Sequence, residues 1–267
     1  MTAVPLYETL RDRIRAEQPV ALATVIDGPH VGSKLLVHPD ADARGDLGHP
    51  ELNRVVARDA LAELEAGRTG VRHYGPEGQN NPDDPAIGQV SVFVESWAPP
   101  PQMLIFGAVD FTAALAKVAK VLGYRVVVCD AREIFATRRR FPMADEVVVT
   151  WPGPVFAERG ASLGSRDAVC ILTHDPKFDV PALEGALATG VGYIGVMGSR
   201  RTHAKRMERL AEVGISGADM ERVMAPIGLD IGARSPEETA VSICAEIIAL
   251  HTGRKAPSLR DGEGAIH

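Results

Sequence analysis

The sequence predicts an α/β protein: a parallel sheet covered by helices, preceded by a smaller α+β domain. Three observations lead there. From Gln102 onward short apolar runs alternate with amphipathic ones, the rhythm of a parallel sheet with helices on both faces. The first hundred residues have another texture, with short strands joined mostly by turns. Between the two stands Ala98-Pro-Pro-Pro101, and consecutive prolines lack amide donors and favour an extended linker. The expected divisions are residues 1–98, residues 99–254, and a Pro-, Gly- and charge-rich tail over 255–267 expected to be disordered.

Taken in order, Tyr7 to Arg15 reads as a short amphipathic helix and Pro19 to Ile26 as a strand. Asp27-Gly-Pro-His30 is a turn by its Gly and Pro, and Ser33 to Val37 is a second strand. Pro39 to Gly48 reads as a polar loop. Pro50 to Glu65 has the helical repeat, with Leu52, Val55, Val56, Leu61 and Leu64 on one side, and Gly67 ends it. Val71 to Tyr74 and Val90 to Trp97 are strands around a Pro/Asn/Asp loop. In the second part, strands are predicted over 102–107, 125–130, 145–149, 168–173 and 191–197. Helices are predicted over 111–122, part of 155–162, 180–188, 200–213 and 236–251.

Bulk properties narrow the function. A net charge of -6 argues against a general nucleic-acid binder, which needs a basic face to displace counterions. Local clusters such as Arg138-Arg139-Arg140 survive that argument. The three cysteines are far apart and sit in apolar runs, as reduced core thiols of a cytoplasmic protein do. No basic start leads into an apolar stretch, so no signal peptide is expected. No run of about 18 apolar residues exists, so no membrane span is expected. The histidines form no H-x-x-x-H or H-E-x-x-H pair, so no metal site is assigned.

Three loops follow apolar strands and open towards helices. All should converge on the carboxyl edge of the sheet, where such folds bind ligands. In the first, Gly107 stands where a dinucleotide-binding turn places its first glycine, and the next helix aims N–H groups at a pyrophosphate. Asp130, at the end of the second strand, suits ribose hydroxyls. The fingerprint is broken, because its second and third glycines fall on Val109 and Thr112. Asp110 adds a negative charge there, or serves only as a helix N-cap. A Rossmann-like scaffold that binds no dinucleotide in the usual way is therefore one reading, and an NAD(P)-binding oxidoreductase is another.

The second loop is Thr173-His174-Asp175, beside the first strand at the switch point. His174 can donate, accept or ligate near neutral pH, with Asp175 as acceptor or orienter; alternatively Asp175-Pro176 only starts a turn. The third is Gly198-Ser199-Arg200-Arg201, where a helix N-terminus and two guanidinium groups make an anion site, or a capped helix with solvated arginines. A further segment, Pro226 to Ser235, is too apolar for an ordinary surface loop. Ile227, Leu229 and Ile231 are expected to tuck inward, and Gly228 and Gly232 to permit unusual backbone angles or a ligand's approach. Asp230 and Arg234 are its polar contacts. Ser235, Pro236 and Glu238 then form a capping box.

Taken together, these residues resemble the XdhC/CoxI family, accessory proteins that mature molybdenum-containing hydroxylases. The resemblance runs from Met103 to Ile248. It rests on Thr173-His174-Asp175, on Tyr193 to Arg200 and on Pro226 to Glu238, with support from Asp130-Ala131-Arg132 and Phe141 to Val149. It implies a Rossmann-like domain behind a family-specific N-terminal domain. It also implies binding of the molybdenum cofactor (molybdopterin), its protection during sulfuration, and its handover to an apo-enzyme of the xanthine or carbon monoxide dehydrogenase type. Members act as chaperones rather than catalysts, so no catalytic residue is assigned. Implied partners are the molybdenum hydroxylase apo-enzyme and a cysteine desulfurase, and a homodimer is a further expectation. Arg200 and Arg201 suit the phosphate, Asp130 a donor-rich ring edge or a ribose, and His174 and Asp175 the pterin or the metal; Arg132 is a further cofactor-binding candidate.

Two departures stand out. Relatives often carry Gly-Ala-Gly-His after the first strand, and this chain has Gly107-Ala108-Val109-Asp110. Many carry Gly-Gly-Cys in the N-terminal domain, and the stretch Gly45 to Glu51 has no cysteine. A divergent protein-binding scaffold without a small ligand is accordingly the main alternative.

Overall fold

The computed structural model describes residues 5–79, 89–198, 209, 210, 212 and 214–261. The chain divides into two units, Met1–Pro99 and Pro100–His267.

In the first unit, α1 (Leu6–Arg15) is followed by β1 (Val20–Asp27), β2 (Lys34–His38), β3 (Ala41–Asp46), α2 (Pro50–Ala66), β4 (Gly70–Tyr74) and β5 (Val90–Trp97). The strands form an antiparallel sheet in the order β3-β2-β1-β5-β4. One face is covered by α2, whose Leu52, Val56, Ala60 and Leu64 pack with Ala23, Leu35 and Val92. Leu61, expected on that face, is 37% exposed. Gly67 ends α2 in the left-handed conformation, φ 65°, as a C-terminal glycine does.

The segment expected as a polar loop contains β3. Its residues are nearly all exposed, so no apolar alternation marks it. Backbone pairing to β2 alone makes it a strand, with Leu35 opposite Gly45. A Cβ on Gly45 would stand 2.2 Å from the Lys34 carbonyl oxygen, so only glycine fits there.

In the second unit, β6 (Gln102–Phe106), α3 (Asp110–Val121), β7 (Arg125–Cys129), β8 (Glu146–Val148), α4 (Pro152–Arg159), β9 (Ala168–Ile171), α5 (Pro176–Leu187), β10 (Tyr193–Val196), α6 (Gly217–Met220), β11 (Val223–Met224) and α7 (Pro236–His251) follow one another. All six strands are parallel, in the order β11-β10-β9-β6-β7-β8. The chain moves outward from β6 through β7 and β8, then returns to the other side of β6 as β9. That reversal is the switch point where such sheets open a crevice.

Alternation along β6 builds two cores. Met103 and Ile105 pack with Leu115 of α3 and Ile243 of α7, while Leu104 and Phe106 pack with Phe178 and Leu183 of α5. Helix α5 starts earlier than residue 180, because Asp175 caps it and Pro176 takes its first position. Pro181 lies inside the helix, which costs a backbone hydrogen bond there. The helix expected over 200–213 falls largely outside the described residues. Within the expected tail, Leu259–Asp261 forms a 3₁₀ turn, and 262–267 lie outside the described residues.

Candidate functional site

A cavity of about 680 Å³ opens where β6, β7, β9 and β10 end. Its polar lining comes from Asp110, Asp130, Arg132, Thr173, His174 and Asp175, and its apolar lining includes Phe111, Trp151, Phe178 and Met197. This size and this mixture of an apolar wall with a few polar groups are usual for small-molecule sites.

Hydrogen bonds engage every backbone group of Gly107 and Ala108 in the first turn. Gly107, at φ 116°, donates its N–H to the Cys129 carbonyl at 2.8 Å, and its carbonyl accepts from the Thr112 hydroxyl. A Cβ here would stand 2.5 Å from Thr173 Cγ2 and 3.1 Å from Thr173 N, so the turns after β6 and β9 touch only because Gly107 has no side chain. The Ala108 N–H donates to Asp130 Oδ2 at 2.7 Å. Its carbonyl accepts from Arg140 Nη1 at 3.0 Å.

Asp130, expected to hold ribose hydroxyls or a donor-rich ring edge, lines the cavity and is hydrogen-bonded within the protein. Besides Ala108, its carboxylate accepts from the N–H of Arg132 at 2.9 Å, from Arg132 Nε at 2.9 Å and from Arg132 Nη2 at 2.7 Å. A carboxylate has about four acceptor positions, and these four bonds occupy them. The residue is 2% exposed. Burial pushes its pKa up, but the Arg132 guanidinium and two backbone N–H groups outweigh that and hold it below the ordinary carboxylate range. Asp110 also departs from expectation. The N-cap of α3 is Val109, in extended conformation and without a side-chain bond. Asp110 is the first helical residue, and its carboxylate is exposed and paired with Arg140 at 3.3 Å.

The second turn is arranged otherwise. Thr173 is buried, and its hydroxyl donates to the buried Asp179. Asp175 caps α5, its Oδ1 accepting from the Lys177 N–H at 3.0 Å. His174 is exposed on the cavity wall and makes no hydrogen bond or ion pair among the described residues.

Three ring residues of the lining, Phe111, Trp151 and Phe178, were missed by reasoning that weighed glycines and charges. The signal was present: Trp151-Pro152-Gly-Pro154 directly follows an apolar strand, the same grammar as the other site loops. Trp151 is the N-cap residue of α4 and is 51% exposed.

The glycine loop before α7 does not reach the cavity: Gly228, Asp230 and Gly232 are not among its lining residues. Gly228 donates its N–H to Glu246 Oε2 at 2.9 Å, and the same oxygen accepts from the Tyr193 hydroxyl at 2.6 Å. At Gly228, φ is 95° and a Cβ would stand 2.5 Å from Ser242 Oγ, so this glycine serves loop-to-helix packing. Ile227 joins the core beside α7, whereas Ile231, expected to tuck inward, is 54% exposed. Asp230 and Gly232 are exposed. The capping box of Ser235 and Glu238 is present. Gly198 is half-buried after β10. Ser199, Arg200 and Arg201 lie outside the described residues.

Comparison with known families bears on this architecture. The family described as the XdhC Rossmann domain matches residues 103–247, over half of the chain. The chain belongs to the XdhC/CoxI family. The XdhC and CoxI family description also matches residues 13–75. Among curated relatives, the uncharacterized protein YqeB of Escherichia coli K12 is 26% identical over 239 residues, 87% of this chain and 43% of that protein. A probable xanthine dehydrogenase subunit of Bacillus subtilis is 33% identical over 159 residues, covering 59% and 45%. The molybdenum cofactor insertion chaperone PaoD of E. coli K12 is 31% identical over 102 residues, covering 38% and 32%. The chain thus matches less than half the length of each of these relatives. A crystal structure described as a xanthine dehydrogenase from Bacillus halodurans shares the fold, with a TM-score of 0.52 at 22% identity, over 96% of this chain and 98% of that one.

Val109 and Asp110 of the first turn stand at the cavity. The three cysteines are all buried and free. Burial pushes the thiol of Cys129 up to about 12 and that of Cys244 up to about 11, and it raises Cys170 as well. No described residues form a group of three or more His, Cys, Asp or Glu side chains that could hold a metal ion.

Proposed function

We propose that this protein binds the molybdenum cofactor and assists maturation of a molybdoenzyme of the xanthine or carbon monoxide dehydrogenase type, as a chaperone and not as a catalyst. One observation carries the reading: a single cavity at the switch point combines ring side chains with the family's Thr-His-Asp turn. Similarity to a relative named as a molybdenum cofactor insertion chaperone supports it.

The lining fits the group. Trp151, Phe111 and Phe178 offer apolar surface to a flat pterin, and His174 and Asp175 offer polar atoms to its edge. Arg200 and Arg201 follow β10 in the sequence and would take the phosphate through charge-assisted hydrogen bonds. When bound, the cofactor supplies the molybdenum centre that the client enzyme needs. The chain's own thiols are buried and held protonated, so sulfur for sulfuration would come from a partner such as a cysteine desulfurase. A cytoplasmic location and a homodimer accompany this reading. A dinucleotide such as NAD(P) is less well supported, because Asp130 has no acceptor position left for a ribose.

The test is to purify the protein, oxidise it and measure released pterin by its fluorescence, then titrate apo-protein with purified cofactor. Saturable binding that weakens in Arg200→Ala supports the reading. Absence of pterin and of cofactor affinity, together with a thermal shift by NAD or NADP, overturns it in favour of the oxidoreductase.

A further inference from the structure

We infer that the cavity contains a subsite for a planar heterocycle bearing an adjacent N–H and NH₂ edge, with Trp151 as the stacking face and Asp175 as the acceptor. The inference rests on the cofactor-carrier reading above and names the chemistry that the cavity selects.

Trp151 is held from behind by a series of rings that begins in the core. Phe106, fully buried, stacks on Phe156 at 5.3 Å between centroids and meets Phe178 edge-on at 6.2 Å. Phe178 in turn packs against Trp151 at 5.6 Å. The indole is thus backed by rigid neighbours while half its surface stays open at the cavity. A large apolar side chain left open at a concave site marks a place that a ligand covers, and aromatic faces stack on bases and similar rings whatever their sequence context.

The acceptor follows by comparing the cavity's three carboxylates. Asp130 has four donors and no room for another. Asp110 is paired with Arg140 at 3.3 Å, whereas Asp175, exposed as Asp110 is, lies in the field of Arg132 without an ion pair to it among the described residues. Asp175 uses Oδ1 on the Lys177 N–H, and its Oδ2 makes no hydrogen bond among the described residues. A carboxylate accepts two parallel bonds from neighbouring N–H donors. Pterins and guanine present such a pair, whereas adenine presents an acceptor beside its amino group.

The experiment uses the full chain with Trp97→Phe, which leaves Trp151 as the sole tryptophan, since the sequence has two. Neopterin, GMP and AMP are titrated by tryptophan quenching, and neopterin also by its own fluorescence anisotropy. The expected result is saturable quenching by neopterin or GMP, with AMP at least tenfold weaker. Whichever of the two binds identifies the source as a pterin or a nucleobase. Trp151→Leu weakens binding at least tenfold, about 1.4 kcal/mol, and Trp151→Phe recovers part of it. Asp175→Asn keeps a capping oxygen for α5 and removes the preference over AMP. No saturable binding of neopterin or GMP at roughly millimolar concentration overturns the subsite, as does binding that Trp151→Leu leaves unchanged, or a preference for AMP. In each case pterin released from the purified protein still decides the carrier reading by itself.

Discussion

The turns after β6 and β9 lie side by side at the switch point, yet one is closed and the other open. After β6, the N–H and carbonyl groups of Gly107 and Ala108 are all engaged, by Cys129, Thr112, Asp130 and Arg140. After β9, His174 and one oxygen of Asp175 face the cavity without hydrogen-bond partners among the described residues. Buried backbone groups must be paired somewhere, and Gly107 and Ala108, paired within the protein, have none to offer a ligand. A shared position on the sheet edge therefore does not make two loops equivalent. Under the cofactor-carrier reading, the side-chain contacts to a ligand would fall on the second turn.

The largest effect should come from Gly107→Ala, which attacks the contact between the turns. The new Cβ meets Thr173 at 2.5 Å, and alanine is strained at φ 116°. A cost of about 3 kcal/mol or more is expected, lowering the melting temperature by roughly 6–12 °C. Near-wild-type melting would mean the two turns can separate freely, and the comparison would lose its basis.

Asp130→Ala comes next. It leaves the Ala108 N–H unsatisfied in a buried place and strips Arg132 of its partner, for about 2–3 kcal/mol; Arg132 is half-exposed, which limits the loss. Asp130→Asn should recover part of it. Because the folded pKa of Asp130 is depressed, its stabilising share is complete above its unfolded value of about 3.9 and is lost as pH falls through the folded value. The stability gap between wild type and Asp130→Asn, read from urea melts, should therefore narrow below about pH 4. A gap that stays constant into that range would show that Asp130 is not ionised against Arg132.

Much of this was legible in the residues. The alternation of apolar strands and helices from Gln102 gave the sheet, and strand-end position gave the place of the cavity. What could not be read was how polar groups spend their hydrogen bonds. An acid at a strand end looks like a ribose ligand; only coordinates reveal that Arg132 and Ala108 use all its acceptor positions. Asp110 looked like a cap because Asp usually caps, and the extended Val109 took that place without a side-chain bond. Gly228 looked available to a ligand, but its missing side chain serves Ser242 of the last helix. Strand β3 was invisible because pairing with β2, not apolar patterning, creates it. Trp151 carries a readable signal, a large ring at a strand end.

The smallest effect on stability, and the one that sharpens the contrast most, is expected at His174. Its ring is exposed and makes no hydrogen bond or ion pair among the described residues, so His174→Ala should change the unfolding free energy by no more than about 0.5 kcal/mol, as surface substitutions do. If the second turn is the one that faces the ligand, the same substitution should weaken cofactor binding severalfold, measured by titration of the apo-protein. Asp130→Ala gives the mirror image, with a large change in melting. A protein in which His174→Ala destabilises by more than about 1 kcal/mol while affinity is untouched would have its open turn in a structural role. The division between a turn that holds the fold and a turn that meets the ligand would then be false.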